Sequence, residues 1–189
     1  MMPVLEDMSQ HMVDIAENGV NAGATWIRVS LNERTPEGWL VLEVEDNGKG
    51  MDEEMLRKVV DPFVTSRTTR RVGLGIPFLK QVAELCDGEL SLSSTPGRGT
   101  LLRATLRADA VDCPPLGDIS LSVMTLFAGH PHIQWNVCLA RGEEAFCLSS
   151  EELLEELEDP QLFSLPEVAL WIRETTEEGL REIRGHGEE

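Results

Sequence analysis

Basic residues are scarce in this chain: 16 Lys and Arg stand against 34 Asp and Glu, a formal net charge of -18 over 189 residues with a pI near 4.5. A field of that sign repels phosphate backbones and anionic lipid, so neither nucleic acid nor a membrane is expected as a partner. Long apolar runs are also missing. No segment approaches the ~20 apolar residues that span a bilayer, and no N-terminal stretch joins a basic region to an apolar one, which points to a cytoplasmic protein. Cysteines are few and scattered: Cys86, Cys113, Cys138 and Cys147 include no C-x-x-C pair. That speaks against a zinc site or disulfide framework and for reduced, small apolar side chains. One reservation is the pair Cys138 and Cys147, which face each other if Gly142-Glu143 forms a two-residue hairpin turn.

What is present is enough apolar side chain, 41% of residues, to fill a core for one domain with a substantial appendage. The charge is uneven. Residues 1–110 hold 12 Lys+Arg against 17 Asp+Glu, a net of -5, and residues 111–189 hold 4 against 17, a net of -13. Val13, Ala16 and Val20 recur at helical spacing over residues 7–21, ended by Asn21-Ala22-Gly23. Alternation in Ile27, Val29, Leu31 and in Leu40, Leu42, Val44, around the turn Thr35-Pro36-Glu37-Gly38, predicts an antiparallel hairpin. A short helix capped by Asp52 stops before Pro62; a polar loop spans 61–72; a helix covers 75–86; strands near 88–94 and 100–108 flank "STPGRGT". This is an α+β pattern, helices on one face of a mixed sheet. Cys113-Pro114-Pro115 marks a boundary between residues 1–110 and an acidic module, 111–189. There the pattern reads as a helix (118–128), a hairpin (133–139 with 145–148), an acidic helix from Ser150 and a last helix over 166–183. Trp135, Phe146, Leu170 and Trp171 are its apolar anchors, to be packed on the first domain or offered to a partner.

Three short stretches each read two ways. In "DIAENGVNAGAT" (14–25), His11, Asp14 and Asn18 fall within roughly 60° of one helix face and Glu17 points away. Asp14 and Asn18 could present oxygens to a hydrated Mg²⁺, or simply be solvated and bonded to local backbone. "DNGKGM" (46–51) could be an ordinary turn, or could offer Asp46 to a base or hydroxyl while Gly48 and Gly50 let a ligand approach the main chain. "GLG", with Gly73 and Gly75 opening a helix, could be loop punctuation or a phosphate cradle, with Arg67, Arg70 and Arg71 just upstream.

Order and spacing distinguish these readings. D-x-x-x-N on a helix, D-x-G-x-G at a strand end, a Thr/Ser/Arg loop, G-x-G opening a helix and G-x-G-T before a strand together resemble the GHKL ATPase superfamily: gyrase, the ninety-kilodalton heat-shock chaperone, histidine kinases and MutL. The resemblance covers about residues 7–108 and implies the Bergerat α/β sandwich binding ATP and Mg²⁺. "DIAENGVNAGAT" is similar to the N box, closest in wording to MutL, which implies Asn18 as the metal ligand. "EDNGKGM" resembles the G1 box, implying Asp46 on the adenine amino group and Gly48, Gly50 and Met51 shaping that pocket. "DPFVTSRTTR" resembles the F box and lid of histidine kinases, bringing Phe63, Thr65, Ser66 and Arg67 to the nucleotide. "GLGIPFLK" is similar to their G2 box, bringing Gly73, Leu74 and Gly75, and Thr100 would border the adenine.

The sequence departs from the pattern in two places. Asp14 stands where the ATPase branches place a general-base Glu, one methylene longer, so slow hydrolysis is expected. Arg71 stands where the kinases have the first glycine of the G2 box. His11 reads as a satisfied structural histidine or, less simply, as the group that orients Asp14 or serves as a base itself. Only about ten residues precede the first helix, and neither His130, His132 nor His186 has the helical context of a phosphoacceptor. Any acceptor is therefore expected on another protein; a homodimer stays open. The resulting expectation is a slow ATPase or a protein kinase acting in trans, in signalling, with Asp14 as the catalytic base. The alternative is an ATP-gated interaction switch with little turnover.

Overall fold

The computed structural model describes residues 7–34, 36–61 and 75–185. Helix α1 (Met8–Asn21) starts where Asp7 accepts the Gln10 amide, a cap that satisfies one of the free donors of the first turn. Met8, Met12, Ile15, Ala16 and Gly19 form its buried stripe, and the chain leaves it through Gly23 at φ 76°. Strands β1 (Trp26–Arg34) and β2 (Trp39–Asp46) pair antiparallel, as the alternation predicts. Helix α2 (Glu53–Val59) is capped by Asp52 through the Met55 amide. Helix α3 (Gly75–Leu85) buries Ile76, Leu79 and Ala83. Strands β3 (Glu89–Thr95) and β4 (Gly99–Arg107) form the second hairpin.

Beyond the connector come α4 (Ile119–Gly129), β5 (Gln134–Arg141), β6 (Glu144–Ser149), α5 (Ser150–Leu157), a 3-10 turn (Pro160–Ser164) that the sequence pattern does not suggest, and α6 (Pro166–Gly185). The sheet order is β3-β4-β2-β1-β5-β6, with every neighbouring pair antiparallel except β1 with β5. It is therefore mixed, and the fold is the α+β architecture the sequence predicts.

One face of the sheet carries Ile27, Val29, Leu31, Leu42, Val44, Leu102, Ala104, Leu106, Trp135 and Val137, all buried under the helices in a single core. Phe127 stacks on Trp135 with ring centroids 6.2 Å apart and meets Phe163 edge-on at 5.9 Å. Fully burying each such ring contributes about 1.5–3 kcal/mol. The opposite face is polar and open, with Arg28, Arg34, Ser91 and Ser93 exposed.

The connector also fixes α1. Pro115 and Leu116 carbonyls accept the Met8 and Ser9 amides at 2.9 Å each, so two donors that a helix start leaves free are satisfied from 107 residues downstream in each case. Ser122 on α4 adds a bond to the Ser9 carbonyl.

The cysteine expectation needs correction. Gly142-Glu143 does form the hairpin turn, at φ 61° for Gly142, and the register then sets Cys138 opposite Cys147, where the two are joined as a disulfide. Cys86 and Cys113 are free thiols, as expected. Burial pushes the Cys86 thiol up to about 11, with Cys113 close beside it adding to the shift. Leu170 and Trp171 are half exposed, at 52% and 46%, whereas Trp135 is fully buried.

Candidate functional site

Asp46 ends β2 on the helix-covered face, in register between Ile27 of β1 and Thr100 of β4. It is 9% exposed. The Gly48 amide donates to its Oδ1 at 2.8 Å, and Thr100 is its direct register partner on β4. Burial pushes this carboxyl above the ordinary range; the backbone of Gly48 and of Thr100 pulls the other way and loses. Helix α1 crosses directly above. A Cβ on Gly19 would lie 3.0 Å from both Asp46 Cβ and Ile27 Cδ1, and one on Gly48 would lie 2.8 Å from Ala22 Cβ. These two glycines are what allow helix, loop and carboxylate to share so little space.

The loop after Asp46 is pinned from three sides. Asn47 Oδ1 accepts the Thr25 and Trp26 amides and its Nδ2 donates to Thr25 Oγ1, tying the loop to the start of β1. The Lys49 amide donates to Ala22 at the end of α1, and the Lys49 carbonyl accepts Gly97 from the β3–β4 turn. Gly50, at φ 65°, passes so close to the Thr95 carbonyl that a Cβ would come within 2.0 Å of its oxygen. Met51 donates its amide to Ser94 Oγ at 2.8 Å. Asn47 and Ser94 are site residues that sequence reasoning missed. Asn47 looks like half of a common Asn-Gly turn, and Ser94 looks like one serine among several in a strand.

At the other end, Asp14 sits on α1 against the first residue of α3. A Cβ on Gly75 would lie 3.2 Å from Asp14 Cβ and 3.5 Å from its Oδ2. Asp14 stays exposed, yet desolvation by its neighbours, and next the charge of Glu17, push its carboxyl above the ordinary range. Asn18 follows one turn on, half buried. Among the described residues no group of three or more His, Cys, Asp or Glu is arranged to hold a metal. One amide oxygen beside a carboxylate instead suits a hydrated Mg²⁺, which takes most of its ligands from water and phosphate.

His11 is not the satisfied histidine expected. It is fully buried, and among the described residues neither ring nitrogen has a hydrogen-bond partner, Asp14 included. Desolvation holds its pKa down, with the charge of Asp7 opposing. Glu17, pointing away from the site, pairs at 2.7 Å with His130 at the end of α4.

The structure thus brings Asp46, Gly48, Gly50, Met51 and Thr100 together at one end, and Asp14, Asn18 and Gly75 at the other. Phe63, Thr65, Ser66, Arg67, Gly73 and Leu74, with Arg70 and Arg71, lie outside the described residues, as does His186. A cleft of about 340 Å³ on the open face, lined by Arg34, Trp39, Asp87, Glu89 and Arg103 among others, includes none of the site residues.

The chain is 33% identical over 118 residues to nitrogen regulation protein NtrY of Azorhizobium caulinodans, covering 57% of this chain and 15% of that protein. It is 28% identical over 99 residues to sporulation kinase C of Bacillus subtilis, covering 52% and 23%. It is 28% identical over 161 residues to the autoinducer 2 sensor kinase/phosphatase LuxQ of Vibrio cholerae, covering 74% and 18%. The chain therefore spans less than a quarter of the length of each of these relatives. A crystal structure of the N-terminal domain of a DNA repair protein superposes with a TM-score of 0.55 at 14% identity, over 77% of this chain and 53% of that one, and so shares the fold. The family model "Histidine kinase-, DNA gyrase B-, and HSP90-like ATPase" matches residues 4–110, more than half of the chain and the whole of the site just described, and the chain belongs to that family.

Proposed function

We propose that the chain binds Mg-ATP with its base on Asp46 and Thr100 and its phosphates toward Asn18 and the start of α3, and that it acts in phosphoryl transfer as a slow ATPase or as a protein kinase in trans. The single observation carrying this reading is the placement of a buried acceptor, Asp46, under Gly19 in the last turn of α1 and a carboxylate with raised pKa, Asp14, at mid-helix against the α3 N-terminus. Asp46 offers acceptors to an amino group. Gly48 and Gly50 keep side chains out of the base's way. Asn18 would hold Mg²⁺, which when bound neutralises charge on the phosphates. Asp14 would take the proton of the attacking water or hydroxyl; a carboxyl with a raised pKa is a better proton acceptor at neutral pH than an ordinary one. Its shorter reach supports slow turnover, or a nucleophile brought close by a partner.

Phe63, Thr65, Ser66 and Arg67 would close over the nucleotide, and Gly73 and Leu74 would border its phosphates. The phosphoacceptor would be another protein, and a cytoplasmic location fits a chain in which no described helix is long and apolar enough to cross a membrane. The division at residue 110 would separate nucleotide binding from an acidic regulatory part. A second reading, an ATP-gated switch, rests on the connector and α4 holding α1: nucleotide on α1 would be felt by residues 111–185 without turnover.

The deciding experiment follows γ-labelled ATP with Mg²⁺ into free phosphate and into protein. Asp46→Asn weakens binding and Asp14→Asn removes chemistry. Product lost in both variants supports the enzyme. Tight binding with no product, weakened only by Asp46→Asn, removes intrinsic hydrolysis and leaves the switch, or a kinase awaiting its acceptor.

A further inference from the structure

Ser94 makes three hydrogen bonds at once. Its Oγ lies 2.8 Å from the Met51 amide, 2.7 Å from the Gly99 carbonyl and 2.9 Å from Thr100 Oγ1. A serine hydroxyl has one proton and two lone pairs. The carbonyl can only accept and the amide can only donate, so the proton goes to Gly99 and one lone pair receives Met51. The remaining lone pair faces Thr100, which must supply the proton of that third bond. Thr100 has then committed its hydroxyl proton to Ser94.

Ser94, Thr100 and Asp46 sit at matched register positions on β3, β4 and β2, on the helix-covered face. An ionised Asp46 is acceptor-only, and with its proton held by Ser94 the Thr100 oxygen is acceptor-only as well. This end of the site therefore offers lone pairs and no hydroxyl proton. A 6-amino purine presents a donor to that surface, whereas a 6-oxo purine presents another acceptor.

We propose that Ser94 is a positioning residue that sets base specificity: by holding the Thr100 hydroxyl proton it makes the pocket select a purine with an exocyclic 6-amino group over its 6-oxo counterpart. This rests on the nucleotide reading above and adds to it a residue outside the base contacts themselves. Ser94→Ala frees the Thr100 hydroxyl to turn and donate, which removes the penalty against the 6-oxo group.

The test is calorimetric titration of the full chain with ATP and with ITP, each with Mg²⁺. The wild type should prefer ATP, and in Ser94→Ala the ATP-to-ITP preference should fall by about tenfold, the scale of one hydrogen-bond mismatch. Ser94→Thr, which keeps a hydroxyl, should restore the preference. In a Thr100→Val background, adding Ser94→Ala should leave the ratio unchanged. Should Ser94→Ala fail to fold, Ser94→Cys reads the same ratio with a weaker partner. Equal loss of affinity for both nucleotides, with the ratio intact, would make Ser94 merely structural and overturn the proposal. Equal wild-type affinity for ATP and ITP would overturn it too, while leaving the nucleotide reading standing. Binding of neither would remove the nucleotide reading and this proposal with it.

Discussion

At the scale of the residue, the groups best suited to a ligand are poorly suited to folding. Asp46 and Asp14 both have pKa values raised by desolvation, so the folded chain binds protons more tightly at these sites than the unfolded chain does. Their charged forms cost stability at neutral pH, and that cost is relieved as pH falls through the folded pKa values toward 3.8. Asp46→Asn should accordingly melt no lower than the wild type, while weakening ATP binding by about tenfold to a hundredfold, the range for losing a bond to a charged group; differential scanning fluorimetry and titration check the two halves. His11 works in the opposite sense. Its folded pKa is depressed, so stability falls as pH drops below 6.5 and continues to fall through the folded value. The urea midpoint of the wild type should therefore drop more between pH 7.5 and pH 5.5 than that of His11→Leu, and equal drops would mean that His11 is not the titrating group. The D-x-x-x-N and D-x-G-x-G spacings were legible because each ties neighbours in sequence to one helix face or one turn. The isolation of His11 was not, because a helical arc gives direction and not what the connector and α4 place over the first turn of α1.

Elements were the most legible scale. The cap at Asp52 and the two N-terminal hairpins follow from local chemistry that the alternating and helical patterns expose; the cap at Asp7 is seen only in the structure. Packing between elements was hidden. Gly179 in the middle of α6 looks like a weak point in a helix, yet a Cβ there would lie 2.2 Å from the Phe146 ring of β6. Gly→Ala in a helix gains about 1 kcal/mol, whereas overpacking costs about 1–3 kcal/mol. Gly179→Ala should therefore be net destabilising by about 1 kcal/mol, a fall of roughly 2–4 °C in melting temperature, and Phe146→Leu in the same chain should recover it. A rise in melting temperature for the single variant would mean that the ring moves aside freely. The Cys138–Cys147 disulfide belongs here as well: its register was readable from the turn, and its formation was not.

For the whole molecule, the family model stops at residue 110, but the packing continues past it. β5 pairs with β1 along its length, and the connector carbonyls complete the first turn of α1. Fragment 1–110 should for this reason melt without a cooperative transition and bind ATP far more weakly than the full chain. A sharp melt with full affinity would establish residues 1–110 as self-sufficient. No periodicity in the sequence announces the β1–β5 pair, because parallel pairing leaves no turn between its partners. That same pair has a consequence during synthesis. Arg34, at the end of β1, leaves the ribosome about a hundred residues before Arg141, at the end of β5. At roughly 5–20 residues per second the centre of the sheet then waits on the order of 5–20 s with one edge unpaired. For that interval the nascent chain displays a bare strand edge, the surface on which strand-to-strand aggregation starts. A chaperone that shields exposed strands should raise the soluble yield more than one that acts on the finished chain.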